Sequence, residues 1–194
     1  MKTKLIAYAG FVAMAAVQLS VPAYMIYQRE LTLKTGAPFK FRTAPVDPYD
    51  PFRGRYVTLR IEPEEAKPPS GVTLGRNQTI YVSITENEDG FARVEAVSIA
   101  PPEQGDFIRA KVRYERWRET KERMVYIRWP FDRYYLEESL APEAERLYRQ
   151  HSRGEERDAY VVVRVRSGNA VLEELFIEDT PILEFVKSQL ETGA

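Results

Sequence analysis

The chain of 194 residues has no cysteine and a single histidine, His151. The first absence excludes disulfide frameworks, thiolate metal sites and cysteine nucleophiles together, though it leaves the compartment open. The second excludes multi-histidine zinc sites, so no metal or other cofactor is expected. An excess of charge of one sign is also missing. With 28 basic and 29 acidic residues, the chain carries no field of the kind nucleic-acid binders use, and nucleic acid is not an expected partner. There is no phosphate-cradling glycine loop, no Gly-x-Ser-x-Gly elbow and no cofactor fingerprint. Ser70, Ser83, Ser98, Lys67 and Lys111 have no spacing that singles out a Ser/Lys dyad. His151, near the end of an expected helix, reads as a partner of the helix dipole rather than as a general base.

What is present begins at the N-terminus. Leu5 to Tyr27 run 23 residues without a charge, and at about 1.5 Å per residue such a helix crosses a bilayer core. Lys2 and Lys4 precede it, which orients the N-terminus to the cytoplasm and the remainder outside. The rival reading is a cleaved signal peptide, since Val21-Pro22-Ala23 offers small residues for a peptidase. Against cleavage, the apolar run continues through Met25-Ile26-Tyr27, and Tyr24 and Tyr27 suit an interfacial aromatic belt. The expected organisation is a cytoplasmic tip (1–4), a membrane anchor held in the bilayer by residues 5–27, a connector (28–38) and an extracytoplasmic domain (39–194).

That domain reads mostly as strand. The segment 39–43 alternates, and 56–62 places Val57, Leu59 and Ile61 on one face and Tyr56, Thr58 and Arg60 on the other. Segments 78–86 and 91–100 flank Asn87-Glu-Asp-Gly90 as a hairpin. Segments 106–115 and 123–129 form a second pair, and Ser167-Gly168-Asn169 punctuates a third. Helices are expected over 142–151, with Pro142 at its start, and over 181–191, with Thr180 as cap and Pro181 in the first turn. Residues 63–76, rich in proline and glycine, read as a long surface loop. The predicted class is a strand-rich α+β fold: an antiparallel β-sandwich or partly open barrel with two short helices behind a transmembrane helix.

Two stretches carry candidate chemistry. In 47–59, Asp47 and Asp50 stand three residues apart, each followed by proline. Paired acids serve general acid/base chemistry, so these are the candidate catalytic residues of a membrane-bound envelope hydrolase. Carboxyls converging at roughly 5 to 10 Å would fit that reading. The plainer reading is a structured turn, with proline fixing φ, aspartates bonding nearby amides and Gly54 letting the chain reverse. It is the one we favour, with Tyr49, Phe52, Arg53, Arg55 and Tyr56 as an interaction surface. The second stretch, 109–133, interleaves nine basic and four acidic residues with Tyr114, Trp117, Tyr126 and Trp129. Arg109, Lys111 and Arg113 share one strand face, suited to anionic lipid headgroups, a polyanion or a peptide, or simply to guarding an exposed edge. A lipid or small-molecule carrier would need a lined cavity within the sheet.

The segment Thr43 to Ile61 resembles the signature of the GDYXXLXY family of bacterial membrane-anchored proteins. Gly54, Tyr56 and Leu59 are kept, while Arg55 stands for the Asp and Ile61 for the final Tyr. Residues 131–147, an aromatic pair before an acidic helix start, are similar to a second family patch. The resemblance implies a single N-terminal helix in the bacterial cytoplasmic (inner) membrane and an extracytoplasmic domain. It also implies a multi-pass membrane protein as partner, and it supplies no activity and no catalytic residues. The functional expectation is therefore a non-enzymatic accessory subunit, with the Asp47/Asp50 hydrolase as the alternative.

Overall fold

In the computed structural model of the chain, residues 2–44, 56–118, 122–153 and 157–192 are described. Helix α1 (Lys2–Thr35) is continuous, with Pro22 inside it. Its stretch Tyr8–Thr35 is long and apolar enough to cross a membrane, and Phe11, Val17, Tyr24 and Ile26 project outward without covering. The last turns meet the domain: Thr32 is fully buried and its hydroxyl turns back to the Gln28 carbonyl at 2.9 Å. Gly36 then ends the helix, donating to the Thr32 carbonyl at 2.8 Å. A Cβ at this position would lie 2.5 Å from that oxygen and 3.0 Å from the Val165 backbone. Only glycine lets the chain turn here against the sheet.

The strands β1 (Ala37–Ala44), β2 (Tyr56–Thr58), β3 (Arg60–Ile61), β4 (Glu65–Ala66), β5 (Thr79–Glu86) and β6 (Ala92–Ser98) come first. They are followed by β7 (Phe107–Trp117), β8 (Arg123–Arg128), β9 (Arg133–Tyr135), α2 (Ala141–His151), β10 (Ala159–Arg166), β11 (Asn169–Ile177), β12 (Thr180–Pro181) and α3 (Ile182–Thr192). Two five-stranded sheets, β12-β11-β10-β1-β3 and β4-β8-β7-β5-β6, are joined by the two-stranded ribbon β2-β9. Every strand pairing in them is antiparallel. Parallel bridges Lys40↔Phe91 and Ile108↔Gly168 stitch one sheet to the other, and the result is a strand-rich α+β fold between sandwich and partly open barrel.

Alternation builds the core. Phe39 and Phe41 from β1, Val161 and Val163 from β10, Ile80 and Val82 from β5 and Ile108 and Val112 from β7 turn inward into one cluster. Trp129 and Phe131 pack edge-on to Phe41, and the Trp129 indole donates to the Pro63 carbonyl at 3.1 Å. Helix α2 buries Ala144, Leu147 and Tyr148, and α3 buries Ile182, Phe185 and Val186.

Three local expectations change. The 56–62 segment is not one strand: it splits at Leu59, β2 pairing with β9 and β3 with β1. The 63–76 loop holds the short strand β4 and buries Ala66 and Leu74. Two isolated apolar residues among prolines show no period, so the sheet rather than local sequence decides their burial. Pro181 is not helical. Glu178 and Asp179 at φ 51° and 59° reverse the chain, Pro181 pairs opposite Phe176 and α3 starts at Ile182. Proline is tolerated there because the strand is at the sheet edge.

Candidate functional site

Asp47, Asp50, Tyr49, Phe52, Arg53 and Arg55 lie outside the described residues. Both ends of their stretch are fixed. On the entry side, Thr43 is fully buried with its hydroxyl on the Ala159 carbonyl at 2.9 Å. The Tyr148 hydroxyl of α2 donates to the Ala44 carbonyl at 3.1 Å, and burial pushes that phenol up to about 12. On the exit side, β2 begins at Tyr56, held in register opposite Tyr135.

The signature therefore has two faces. Val57, Leu59 and Ile61 are buried in the core, and the Leu59 amide donates to the Asp132 carbonyl at 2.9 Å. Tyr56 faces outward. Its ring lies 5.5 Å from that of Tyr135, and the Arg133 guanidinium sits over it at 4.9 Å from the centroid. Tyr135 is 63% exposed. Two rings and a cation form an amphipathic platform, the composition that carries binding energy at protein interfaces.

Strand alternation divides the neighbouring tyrosine pair. Tyr134, the residue between Arg133 and Tyr135, points inward and donates to the Glu174 carboxylate of β11. Burial first, and then the Glu174 carboxylate, push its phenol well above the ordinary range. Tyr134 thus ties the ribbon to the main sheet and Tyr135 is left to solvent. From sequence, Arg133 closes the basic stretch and Tyr135 belongs to the aromatic pair of the second patch, but neither was joined to Tyr56. The signal is an i, i+2 spacing within a three-residue strand, which places them on one face but is too short to read as periodicity.

The basic stretch is more balanced than its sequence implies. Arg118 pairs with Glu65, Arg113 approaches Glu64 at 3.9 Å and Arg123 approaches Glu115 at 4.0 Å. Arg109, Lys111 and Arg113 are exposed on one face as expected, and Tyr114 stacks on Tyr126 at 4.4 Å. A cleft of about 510 Å³ opens beside it, where Arg42, Arg60 and Arg93 alternate with Glu62, Glu64 and Glu65.

His151 lies in the last turn of α2, where cations meet the helix dipole favourably. Its Nδ1 is 3.0 Å and 3.1 Å from the two Asp158 oxygens and 3.7 Å from Glu178. Its ring meets Phe185 edge-on at 5.3 Å. One donor atom from each of His151, Asp158 and Glu178 falls within 4.8 Å of the others. The set offers one nitrogen and two carboxylates, and Nδ1 is within hydrogen-bond distance of Asp158. Nearby, the Tyr160 hydroxyl donates to Asp179 at 2.8 Å, and burial followed by that carboxylate raises its phenol to about 12. These contacts explain how α2, β10 and the β11–β12 turn are held together.

Neither a characterised protein nor a solved structure shows significant similarity to the chain. Residues 18–175, from within α1 to β11, match the family described as GDYXXLXY protein. The match takes in the β2–β3 segment and the β9–α2 patch together, and the chain belongs to the GDYXXLXY protein family.

Proposed function

We propose that this is a single-pass protein of the bacterial cytoplasmic membrane, N-terminus inside and β-rich domain outside, acting without catalysis as an accessory to a multi-pass membrane protein. The observation that carries the reading is the exposed platform of Tyr56, Arg133 and Tyr135. Tyr49, Phe52, Arg53 and Arg55, which precede Tyr56 in the sequence and lie outside the described residues, are assigned to the same surface from their residue types alone. The uncovered apolar length of α1 and Lys2 and Lys4 ahead of it support the anchor and its orientation. The Asp47/Asp50 hydrolase is the alternative.

The test is a crosslinking pull-down from native membranes with the full chain and a Tyr56→Ala control. One multi-pass protein should be recovered with the natural sequence and lost with the variant, whose thermal midpoint should stay close to the parent's. Equal capture by both chains would remove Tyr56 from the interface and sink the assignment.

A further inference from the structure

Where α1 leaves its apolar stretch and meets the domain, a cleft of about 390 Å³ opens, within the roughly 300–1,000 Å³ of small-ligand sites. One wall is a single face of α1, from Tyr24 and Met25 through Gln28 and Arg29 to Thr32. The other is Arg109 on β7 and the tip of the β10–β11 hairpin, including Asn169. The tip is fixed in place: the Arg109 amide donates to the Gly168 carbonyl at 2.9 Å. At Gly168, with φ +81°, a Cβ would strike the Phe107 ring at 2.7 Å.

Its charge sets this cleft apart. The lining includes Arg29 and Arg109 and not one carboxylate. The other described clefts all carry acids: Glu62, Glu64 and Glu65 in one, Glu64 and Asp132 in another, Asp158, Glu178 and Asp179 in a third. Neither arginine has a carboxylate partner among the described residues, and Glu30, beside Arg29, is taken up by Lys34 at 3.0 Å. Both arginines are exposed. Two unpaired cations in one concave site repel each other and gain from an anion between them.

Height along the helix names the anion. Arg29 is the first charged residue after the apolar run, and Tyr24 and Tyr27 are 63% and 61% exposed just below it, the usual place of interfacial aromatics. From Tyr24 to Thr32 the axial rise is about 12 Å. That is enough to reach from the hydrocarbon edge through a headgroup layer of about 5–7 Å per leaflet. Resting on the reading of α1 as a membrane anchor, we propose that the cleft binds the phosphate of an anionic phospholipid. Arg29 and Arg109 supply the charge, the Gln28 and Asn169 amides supply neutral donors, and Tyr24 and Met25 flank the acyl chains. Because the walls come from α1 and the domain, a bound lipid pins the domain's orientation on the bilayer.

The experiment uses the full chain in a non-ionic detergent with added phosphatidylglycerol, phosphatidylcholine or inorganic phosphate, followed by thermal unfolding. Phosphatidylglycerol should raise the midpoint by several degrees and the other two should not. Arg29→Gln and Arg109→Gln should each remove most of that rise without lowering the lipid-free midpoint. Equal rises with both phospholipids, an undiminished rise in the variants, or a rise reproduced by phosphate alone would each overturn the proposal. Alkaline carbonate extraction of native membranes reports separately on the anchor: release of the chain would refute the anchor, whereas retention without lipid selectivity refutes only the lipid site.

Discussion

The joint between α1 and the sheet invites the most direct test of the fold. Replacing Gly36 by alanine adds one methyl group 2.5 Å from the Thr32 carbonyl and 3.0 Å from the Val165 nitrogen and oxygen. All three neighbours are backbone atoms, so no side chain can swing aside. The Gly36 amide holds the Thr32 carbonyl at 2.8 Å, and the Arg164 guanidinium donates to the Gly36 carbonyl at 3.3 Å, so both contacts must shift with the chain. Overpacking of this kind costs about 1–3 kcal/mol. At about 2–4 °C per kcal/mol for a chain of this size, the midpoint should fall by about 2–12 °C. The assay is thermal unfolding of the full chain in micelles by circular dichroism. Gly10→Ala is the internal control: the same methyl added inside α1 meets nothing within 4 Å. A Gly36→Ala midpoint within about 2 °C of the parent would refute the tight joint and, with it, the rigid coupling of helix to domain.

Two further outcomes follow from the buried side of the signature and its surroundings. Leu59→Ala should destabilise by about 2–5 kcal/mol, because Leu59 is buried in the core cluster and little can collapse into the space it leaves; a denaturant midpoint matching the parent's would contradict that burial. The second concerns alkaline pH. The Tyr148 phenol is raised from its ordinary value of 10 to about 12 by burial, so the folded chain keeps a proton that the unfolded chain releases. Its contribution is present below about pH 10 and is lost as the pH rises towards 12. Thermal midpoints should therefore decline across that window, and Tyr148→Phe should decline less steeply from a slightly lower start, having lost the bond to Ala44. An unchanged slope would mean that Tyr148 is not the buried phenol described.

Much of this architecture was legible because the sequence alternates where the sheets are half-buried. Phe39, Phe41 and Thr43, or Ile80, Val82 and Ile84, declare the inward face of their strands through a two-residue period alone. The hairpins at Asn87–Gly90 and Ser167–Asn169 were legible through turn chemistry, and α1 through the length of its uncharged run. Three features were not, and each depends on distant contacts. The split at Leu59 arises because β9 pairs with 56–58 and β1 with 60–61, and neither partner is visible locally. Leu74 is buried through a link from its amide to Glu115, 41 residues away. The neutralisation of 109–133 by Glu64 and Glu65 needs the β4–β8 pairing.

The candidate site was half legible. Tyr56 stood out through the signature, but its companions Arg133 and Tyr135 come from a strand of three residues whose only message is a two-residue spacing. The cleft beside Arg29 and Arg109 was beyond reach from sequence, since its walls are about 80 or more residues apart in the chain and meet where α1 packs against β10 and β11.

The proposed accessory role rests on the outward face of the β2–β9 ribbon. A photocrosslinking amino acid at position 135, compared in intact cells with the same probe at the exposed Lys187 of α3, addresses it most directly. The account predicts one discrete adduct with a multi-pass membrane protein from position 135, none from 187, and loss of the adduct when Tyr56 is also changed to alanine. Adducts of equal strength from both positions, or none from 135 in cells where the chain is membrane-bound, would contradict it.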